Sequence, residues 1–263
     1  MLPEKRRKWH KPARFRKIYM HMYYEHAIQK YKEQHNLAAF RPKAVLFDMD
    51  GVLFDSMPNH ARSWARVCTE YGLEMTPEEA YMHEGRTGAS TINLLAQRYW
   101  HRDATEKEIS DIYAEKCRLF NACPEAGRMP GAMELLTQVK AAGLTIVVVT
   151  GSGQQSLLSR LESNYPGFFC PELIVSSKDV SRGKPDPEPY LMGLQKAGVR
   201  AEEALVVENA PLGVRAAVAA GIFTVAVNTG PLPEHALIGE GANQLFPSMQ
   251  AFADAWQDFF ACF

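Results

Sequence analysis

Two aspartates, Asp48 and Asp50, follow the apolar run at residues 44–47 and are followed at once by Gly51. In an extended strand residues i and i+2 point the same way, so both carboxylates would face one side of the strand's carboxyl end. Gly51 permits the turn that must come next. Two such acids are compatible with a reactive centre or with a polar strand end, and the rest of the chain must decide between them.

Polar residues also follow three later apolar runs. The segment TGS at residues 150–152 opens a helix, where hydroxyl and backbone N–H groups are offered to an anion. Lys184 lies in a Gly/Pro-rich loop after the third run, where a cation would serve a phosphate. Glu208 and Asn209 follow the fourth run. Each could be an ordinary surface residue or strand junction, but together they indicate one site at the strand ends, where open α/β sheets bind ligands.

The elements that must position these residues alternate along the chain. Continuous apolar runs predict strands of a parallel sheet covered by helices on both faces, at residues 44–47, 144–149, 173–175, 204–207 and 223–227. Helical patterns intervene at about 131–142, 154–163, 187–197 and 212–220. This layout predicts an α/β fold with a doubly wound parallel sheet.

A helical region interrupts this alternation after the first strand. Between residue 55 and about residue 124 there is no strand candidate, and Thr76 with Glu79 and Thr105 with Glu108 have the spacing of capping boxes. So long a segment is a small helical domain rather than a loop. We therefore predict a small helical domain at 56–123, a core domain at 42–55 and 124–263, and an N-terminal extension at 1–41.

Composition indicates an ordinary globular protein. Hydrophobic residues make up 46% of the chain and charged residues 22%, with a net charge of −1. The five cysteines form no CxxC pair, and no apolar run is long enough to cross a membrane, which together favour a cytoplasmic location. Residues 1–17 carry eight Lys or Arg against one acid. We interpret them as an appended segment rather than as a nucleic-acid or membrane-surface arm, which stays the alternative.

Four motifs carry a resemblance to a known family. DMDGV, VVVTGSG, GKPDPEPY and VVENAPLGVRAAVAAG, in this order, resemble the motifs of the haloacid-dehalogenase (HAD) superfamily. DGVLFDS and the position of the helical insertion are similar to its β-phosphoglucomutase-like branch. The resemblance covers about residues 42–250 and implies a Rossmann-like HAD core with an inserted cap.

The resemblance implies roles for the residues at the strand ends. Asp48 would be the nucleophile that forms an aspartyl-phosphate, and Asp50 would be the general acid and base. The transferring oxygens would be held by Thr150, Gly151, Ser152 and Lys184. The implied cofactor is Mg²⁺, with oxygen ligands from Asp48, the Asp50 carbonyl, Glu208 and Asn209.

The chain departs from the branch at two places. Asn209 stands where the branch has an aspartate, which removes a negative charge from the metal site. In the cap stretch HEGRTGAST, residues 83–91, Gly88 lies at about the position of the arginine by which mutases hold a distal phosphate, and Arg86 is out of register. A mutase would need such a cap cation.

The cap stretch and Asn209 together most resemble the inorganic-pyrophosphatase members of the branch. There a cap glutamate, Glu84 here, reaches the site and leaves room for a small substrate, while His60 would assist substrate entry or proton handling. We therefore expect a phosphohydrolase acting on pyrophosphate or another small phosphorylated substrate. The alternatives are a β-phosphoglucomutase or hexose-phosphate mutase, and a non-catalytic protein recruited through its basic tail.

Overall fold

A six-stranded parallel sheet lies at the centre of the computed structural model, which describes residues 13–152 and 157–263. Its strands are β1 (Ala44–Phe47), β2 (Thr145–Val149), β3 (Ile174–Val175), β4 (Ala204–Glu208), β5 (Phe223–Val227) and β6 (Gln244–Phe246). Their order in the sheet is β3-β2-β1-β4-β5-β6. The predicted doubly wound parallel sheet is confirmed, while the edge strand β6 was not predicted.

Helices cover both faces of the sheet and form the cap. They are α1 (Ala13–Gln34), α2 (Met57–Glu70), α3 (Pro77–Met82), α4 (Gly88–Trp100), α5 (Glu106–Asn121), α6 (Ala132–Ala141), α7 (Leu157–Asn164), α8 (Glu188–Ala197), α9 (Pro211–Ala219), α10 (Glu234–Ile238) and α11 (Met249–Phe260). Alternate residues of β1 enter different apolar clusters, Val45 on the face with α6 and α11 and Leu46 on the face with α8 and α9. This two-sided burial explains why the strands are continuous apolar runs.

Helix α1 packs on the core. Tyr24, Ile28 and Tyr31 are buried in the apolar cluster of the sheet face that α11 covers, and the Tyr31 hydroxyl donates a hydrogen bond to the Gly221 carbonyl at 2.7 Å. The segment predicted as an extension therefore contributes to the main core, although its boundary at residue 41 stays a prediction. Most of the basic stretch falls on residues 1–12, which lie outside the described residues.

The cap consists of α2 to α5 around a separate apolar cluster. Both predicted capping boxes form: the Glu79 N–H donates to Thr76 Oγ1 at 3.1 Å and the Glu108 N–H donates to Thr105 Oγ1 at 3.3 Å. Each box provides acceptors for the N-cap and N3 backbone N–H groups at the start of its helix, so these cap helices begin where their sequences predicted. The predicted domain limits at 56 and 123 stay predictions.

Cap and core meet at the carboxyl ends of the strands. A Cβ on Gly85 of the cap would lie 2.8 Å from Cδ of Lys184, and one on Gly183 would lie 2.9 Å from Cγ2 of Thr87. Such approaches leave no room for a side chain at either glycine, so the cap is closed over the sheet.

Across residues 13–152 and 157–263, no helix combines the length and apolar character needed to span a membrane.

Candidate active site

Asp48 follows β1 in the middle of the sheet. Its backbone N–H donates to the Val207 carbonyl at 3.0 Å, which holds the residue at the end of β4 as well. The Lys184 ammonium donates to Asp48 Oδ1 at 2.5 Å, whereas Oδ2 is buried and accepts no hydrogen bond from the described residues. Burial raises the pKa of Asp48 to about 8, although Lys184 opposes that shift. Oδ2 of this carboxylate is therefore available to bind a cation or to attack an electrophile.

Lys184 is held by two acids. Besides Asp48, its ammonium donates to Glu208 Oε1 at 2.7 Å, and the Tyr190 hydroxyl donates to the same oxygen at 2.9 Å. The backbone N–H groups of Asn209 and Ala210 donate to Glu208 Oε2. Both oxygens of Glu208 are thus occupied by protein donors, which fixes Lys184 against Asp48. A metal-ligand role for Glu208 stays a prediction, and its contacts favour positioning instead.

Asp50 has different partners from Asp48. The Ser56 hydroxyl donates to Asp50 Oδ1 at 2.5 Å, and His60 Nε2 lies 3.4 Å from the same oxygen. Burial raises the pKa of Asp50, but His60, Ser56 and the charge of Arg160 together outweigh burial and hold the pKa below its usual range. Asp50 is therefore ionised in this arrangement.

His60 lies between Asp50 and a buried lysine of the cap. Lys116 Nζ is 2.9 Å from His60 Nδ1 and packs over the Trp64 and Phe120 rings. Burial and the Lys116 charge lower the pKa of His60, and burial lowers that of Lys116. Since the ammonium donates to Nδ1, the neutral imidazole carries its hydrogen on Nε2, directed at Asp50. The expected role of His60 in proton handling is compatible with this chain of contacts.

The predicted phosphate-binding segment lies after β2. Thr150 is buried, its N–H donates to the Val175 carbonyl at 2.9 Å, and its hydroxyl accepts from the Ser152 N–H at 3.0 Å. Because the hydroxyl oxygen accepts, its hydrogen is available to another acceptor. Gly151 and Ser152 line the same cavity as Asp50. Gly153 lies outside the described residues.

The donor set fits a hard cation. Asn209 Oδ1, like Asp48 Oδ2, is buried and accepts no hydrogen bond from the described residues. A Cβ on Gly51 would lie 2.1 Å from Asn209 Nδ2, so glycine is required for this amide to approach the turn. In the described part of the chain no three His, Cys, Asp or Glu side chains are grouped to hold a metal. An amide and a backbone carbonyl would therefore have to complete the oxygen set.

Glu84 extends from the cap towards these acids. Burial and the charges of Asp50 and Asp48 raise the pKa of Glu84 to about 8, against the opposing charges of Lys116 and Lys184. The cavity between cap and core has a volume of about 60 Å³, and its lining includes Asp50, His60, Glu84, Tyr113 and Lys116. Glu84 thus lines the same cavity as Asp50, and its role in substrate binding stays a prediction.

Sequence reasoning missed Lys116 and held that no cap cation was in register for a mutase. Lys116 is a buried cap cation in the cavity wall although it is not at the register position, which Gly88 occupies, and Arg86 lines the same cavity. A signal existed: Lys116 shares one buried stripe of α5 with Ile112 and Leu119, four residues before it and three after it. A lysine at a core position of an amphipathic helix requires a partner inside the fold.

Comparisons with known proteins identify the family of this chain. The haloacid dehalogenase-like hydrolase family model matches residues 45–227. Hexitol phosphatase A of Escherichia coli (strain K12) is 36% identical over 194 residues, 72% of this chain and 84% of that protein. A phosphorylated carbohydrates phosphatase of Thermotoga maritima is 32% identical over 181 residues, 68% of this chain and 82% of that protein.

A solved structure from Bacteroides vulgatus, described as a candidate β-phosphoglucomutase, is 56% identical in sequence with a TM-score of 0.90, and the match covers 92% of this chain and 98% of that one. The family match and these identities confirm the resemblance that the four motifs indicated. The chain belongs to the haloacid dehalogenase-like hydrolases, in their β-phosphoglucomutase-like branch.

Proposed function

We propose that the protein is a Mg²⁺-dependent phosphohydrolase that acts through an aspartyl-phosphate on Asp48, with a small phosphorylated carbohydrate as substrate. The observation that carries the proposal is the asymmetry of Asp48: Lys184 holds one carboxylate oxygen, while the other is buried without a hydrogen-bond donor among the described residues. A structural acid at a strand end would have both oxygens occupied, as Glu208 has.

In the first half-reaction a carboxylate oxygen of Asp48 attacks phosphorus and the bond to the leaving oxygen breaks. Asp50 delivers the proton that the leaving oxygen needs. Because the surroundings of Asp50 favour its ionised form, it must be protonated as substrate binds. The Nε2–H of His60, 3.4 Å away, can supply that proton if the Lys116 ammonium gives its own proton to Nδ1 in the same step, so that the imidazole stays neutral.

In the second half-reaction Asp50 takes a proton from water. The resulting hydroxide attacks phosphorus, the bond between Asp48 and phosphorus breaks, and phosphate leaves. Lys184, Thr150 and the backbone at Gly151 and Ser152 would hold the equatorial oxygens, since phosphoryl transfer depends mainly on positioning and charge neutralisation.

Asp48, Asn209 and the Asp50 backbone carbonyl would hold the Mg²⁺. When bound, the ion would neutralise charge on the transferring phosphoryl group and favour the ionised form of Asp48. The free oxygens of Asp48 and Asn209 support this assignment.

The substrate class rests on the relatives. The two curated relatives described above are named as phosphatases of hexitol phosphate and of phosphorylated carbohydrates, and none of these comparisons supports the pyrophosphate that the sequence favoured. Lys116 adds an observation for the mutase alternative, because a cap cation is available to a second phosphate.

Pyrophosphate remains a second candidate because of Glu84. The closed cavity of about 60 Å³ suits a compact group, and Glu84 approaches the acids only with the cap closed. If pyrophosphate is the substrate, Glu84→Ala will lower its kcat/KM by at least about tenfold, or roughly 1.4 kcal/mol, and leave a hexose phosphate unaffected. Equal losses on both substrates would remove Glu84 from substrate selection.

The deciding experiment compares substrates on metal-stripped protein resupplied with Mg²⁺. Phosphate release is measured from hexitol phosphate, glucose 6-phosphate, glycerol 3-phosphate and pyrophosphate, with Asp48→Asn as the inactive control. Release from a phosphorylated carbohydrate supports the proposal, and turnover of pyrophosphate alone supports the second candidate. Conversion of β-glucose 1-phosphate to glucose 6-phosphate without net phosphate release would establish a mutase.

A further inference from the structure

The Tyr113 ring lies against Gly88. A Cβ on Gly88 would lie 2.2 Å from Tyr113 Cδ2 and 2.4 Å from Cε2, far inside van der Waals contact. Gly88 is the first residue of α4, where the backbone is helical and imposes no need for glycine. The steric demand of the tyrosine therefore explains a glycine here, and the two positions form a matched pair.

This pair forms part of the wall of the active-site cavity. Gly88 and Tyr113 both line it, and Tyr113 precedes Lys116 by three residues on α5, so the two side chains share a helix face. Lys116 is buried deep beside His60, whereas Tyr113 is 36% exposed and lies nearer the opening. The ring therefore borders the space that the phosphate and the rest of a substrate would have to share.

The remaining space is small. A volume of about 60 Å³ corresponds to roughly four to six water molecules. A six-carbon sugar beside the transferring phosphate would need more room than this, either from movement of wall residues such as Tyr113, Glu84 and Arg86 or from an open cap. Neither Lys116 nor His60 can move aside as easily, because each is buried and in contact with the other.

We propose that Tyr113, seated on Gly88, is the residue that limits the size of the leaving group, so that compact phosphate compounds are preferred over hexose phosphates. This inference rests on the proposed phosphohydrolase function. The ring excludes large leaving groups by its volume. A substrate with a larger leaving group keeps the cap open, and its hydrolysis is then not accelerated by Glu84 and Lys116, which closure brings to the acids.

The first test compares Tyr113→Ala with Tyr113→Phe. For each variant kcat/KM is measured for glucose 6-phosphate and for the better of glycerol 3-phosphate and pyrophosphate. Tyr113→Ala is expected to raise the ratio of large to compact substrate by about tenfold or more, and Tyr113→Phe to leave the ratio within twofold. Arg118→Ala on the same helix, exposed and paired with Glu115, is the control that should alter neither activity nor ratio.

A double-mutant cycle tests the pairing itself. Gly88→Ala in the wild-type background must push the ring and is expected to change the substrate ratio, whereas in the Tyr113→Ala background the added methyl meets open space and should not. Additive effects of the two substitutions, or an unchanged ratio in Tyr113→Ala, would overturn the inference. A wild-type protein that hydrolyses none of these compounds would instead contradict the proposed function, so the two failures are distinguishable.

Discussion

Three acids approach one another at the end of the first strand, and their partners give each a different state. Asp48 is buried with one oxygen on Lys184, Asp50 is kept ionised by its neighbours, and Glu84 is driven towards its neutral form. Environment, not residue type, separates these roles, which is how one site can hold a nucleophile and a proton carrier side by side.

Asp48→Asn is expected to abolish turnover and leave the fold intact. An amide cannot attack phosphorus, yet it is nearly isosteric and can still accept a hydrogen bond from Lys184. The measurement is phosphate release beside circular dichroism and a melting curve. Retention of more than about one part in a thousand of wild-type kcat by a pure sample would refute an Asp48 nucleophile.

Asn209→Asp is expected to tighten Mg²⁺ binding. The added charge replaces an amide oxygen that is buried without a donor among the described residues, and cation affinity rises with the charge of its oxygen ligands. Calorimetric titration of the substrate-free protein should show at least about a threefold lower Kd, with Asn93→Asp in the cap as a control of equal charge. An unchanged affinity would remove Asn209 from the coordination shell.

At the scale of elements, the sheet and the strand-end residues could be predicted because they depend on short-range pattern. Apolar runs at residues 44–47 and 204–207 specify buried parallel strands, and parallel strands bring their carboxyl ends to one edge whatever the loops do. Edge strand β6 has only three residues and a central Leu245 that is half-exposed, so its pattern was too weak to recognise. Lys116 and Tyr113 depend on how the cap docks, which local pattern does not specify.

The packing of α1 on the core could not be predicted from local pattern either. This packing leads to a prediction about stability. Tyr31→Ala is expected to lower the free energy of unfolding by about 3–5 kcal/mol, because it empties a fully buried site between α1 and the Phe40 and Phe223 rings. Tyr31→Phe removes only the hydrogen bond to Gly221 and should cost about 0.5–1.5 kcal/mol. Denaturant unfolding gives both values.

Chemistry should survive these substitutions. Every residue of the candidate site lies after Lys43, so kcat/KM at a temperature where the variant is folded should stay within a few-fold. Met22→Ala, on the exposed side of the same helix, is the control for stability. If Tyr31→Ala unfolds no more easily than Met22→Ala, α1 does not contribute to the core as described.

At the scale of the whole molecule, closure of the cap changes the electrostatic energy of the active site. Cap and core meet along a contact, here called the seam, at residues 83–88 of the cap and 181–184 of the core. They can approach closely there because Gly85 on the cap and Gly183 on the core carry no side chain. Closure also brings Glu84 towards Asp48 and Asp50, and the charges of Lys116 and Lys184 oppose that repulsion. Substrate and a cation would relieve it, so closure is coupled to occupation of the site.

The metal-free protein should therefore open as pH rises. With the cap closed the pKa of Glu84 is raised to about 8, and in the open form solvent returns it towards its ordinary value, about 4.3 for a glutamate. The closed form then binds the proton more tightly, so closure is favoured at low pH and is lost progressively between the two values, by at most about 1.4 kcal/mol per pH unit. Glu84→Gln removes the share of this dependence that Glu84 contributes, since a neutral amide does not titrate, and leaves the share of Asp48, whose pKa burial also raises to about 8.

Hydrogen exchange at the seam measures that opening. Amides of residues 83–88 and 181–184, corrected for intrinsic rates, should lose protection between pH 6 and pH 8.5 in the metal-free wild type, while α11 stays protected. In Glu84→Gln the seam should lose clearly less protection over this pH range than in the wild type, and Mg²⁺ with phosphate should restore protection to the wild type at pH 8.5. A seam that opens equally in both proteins would show that another group, not Glu84, controls closure.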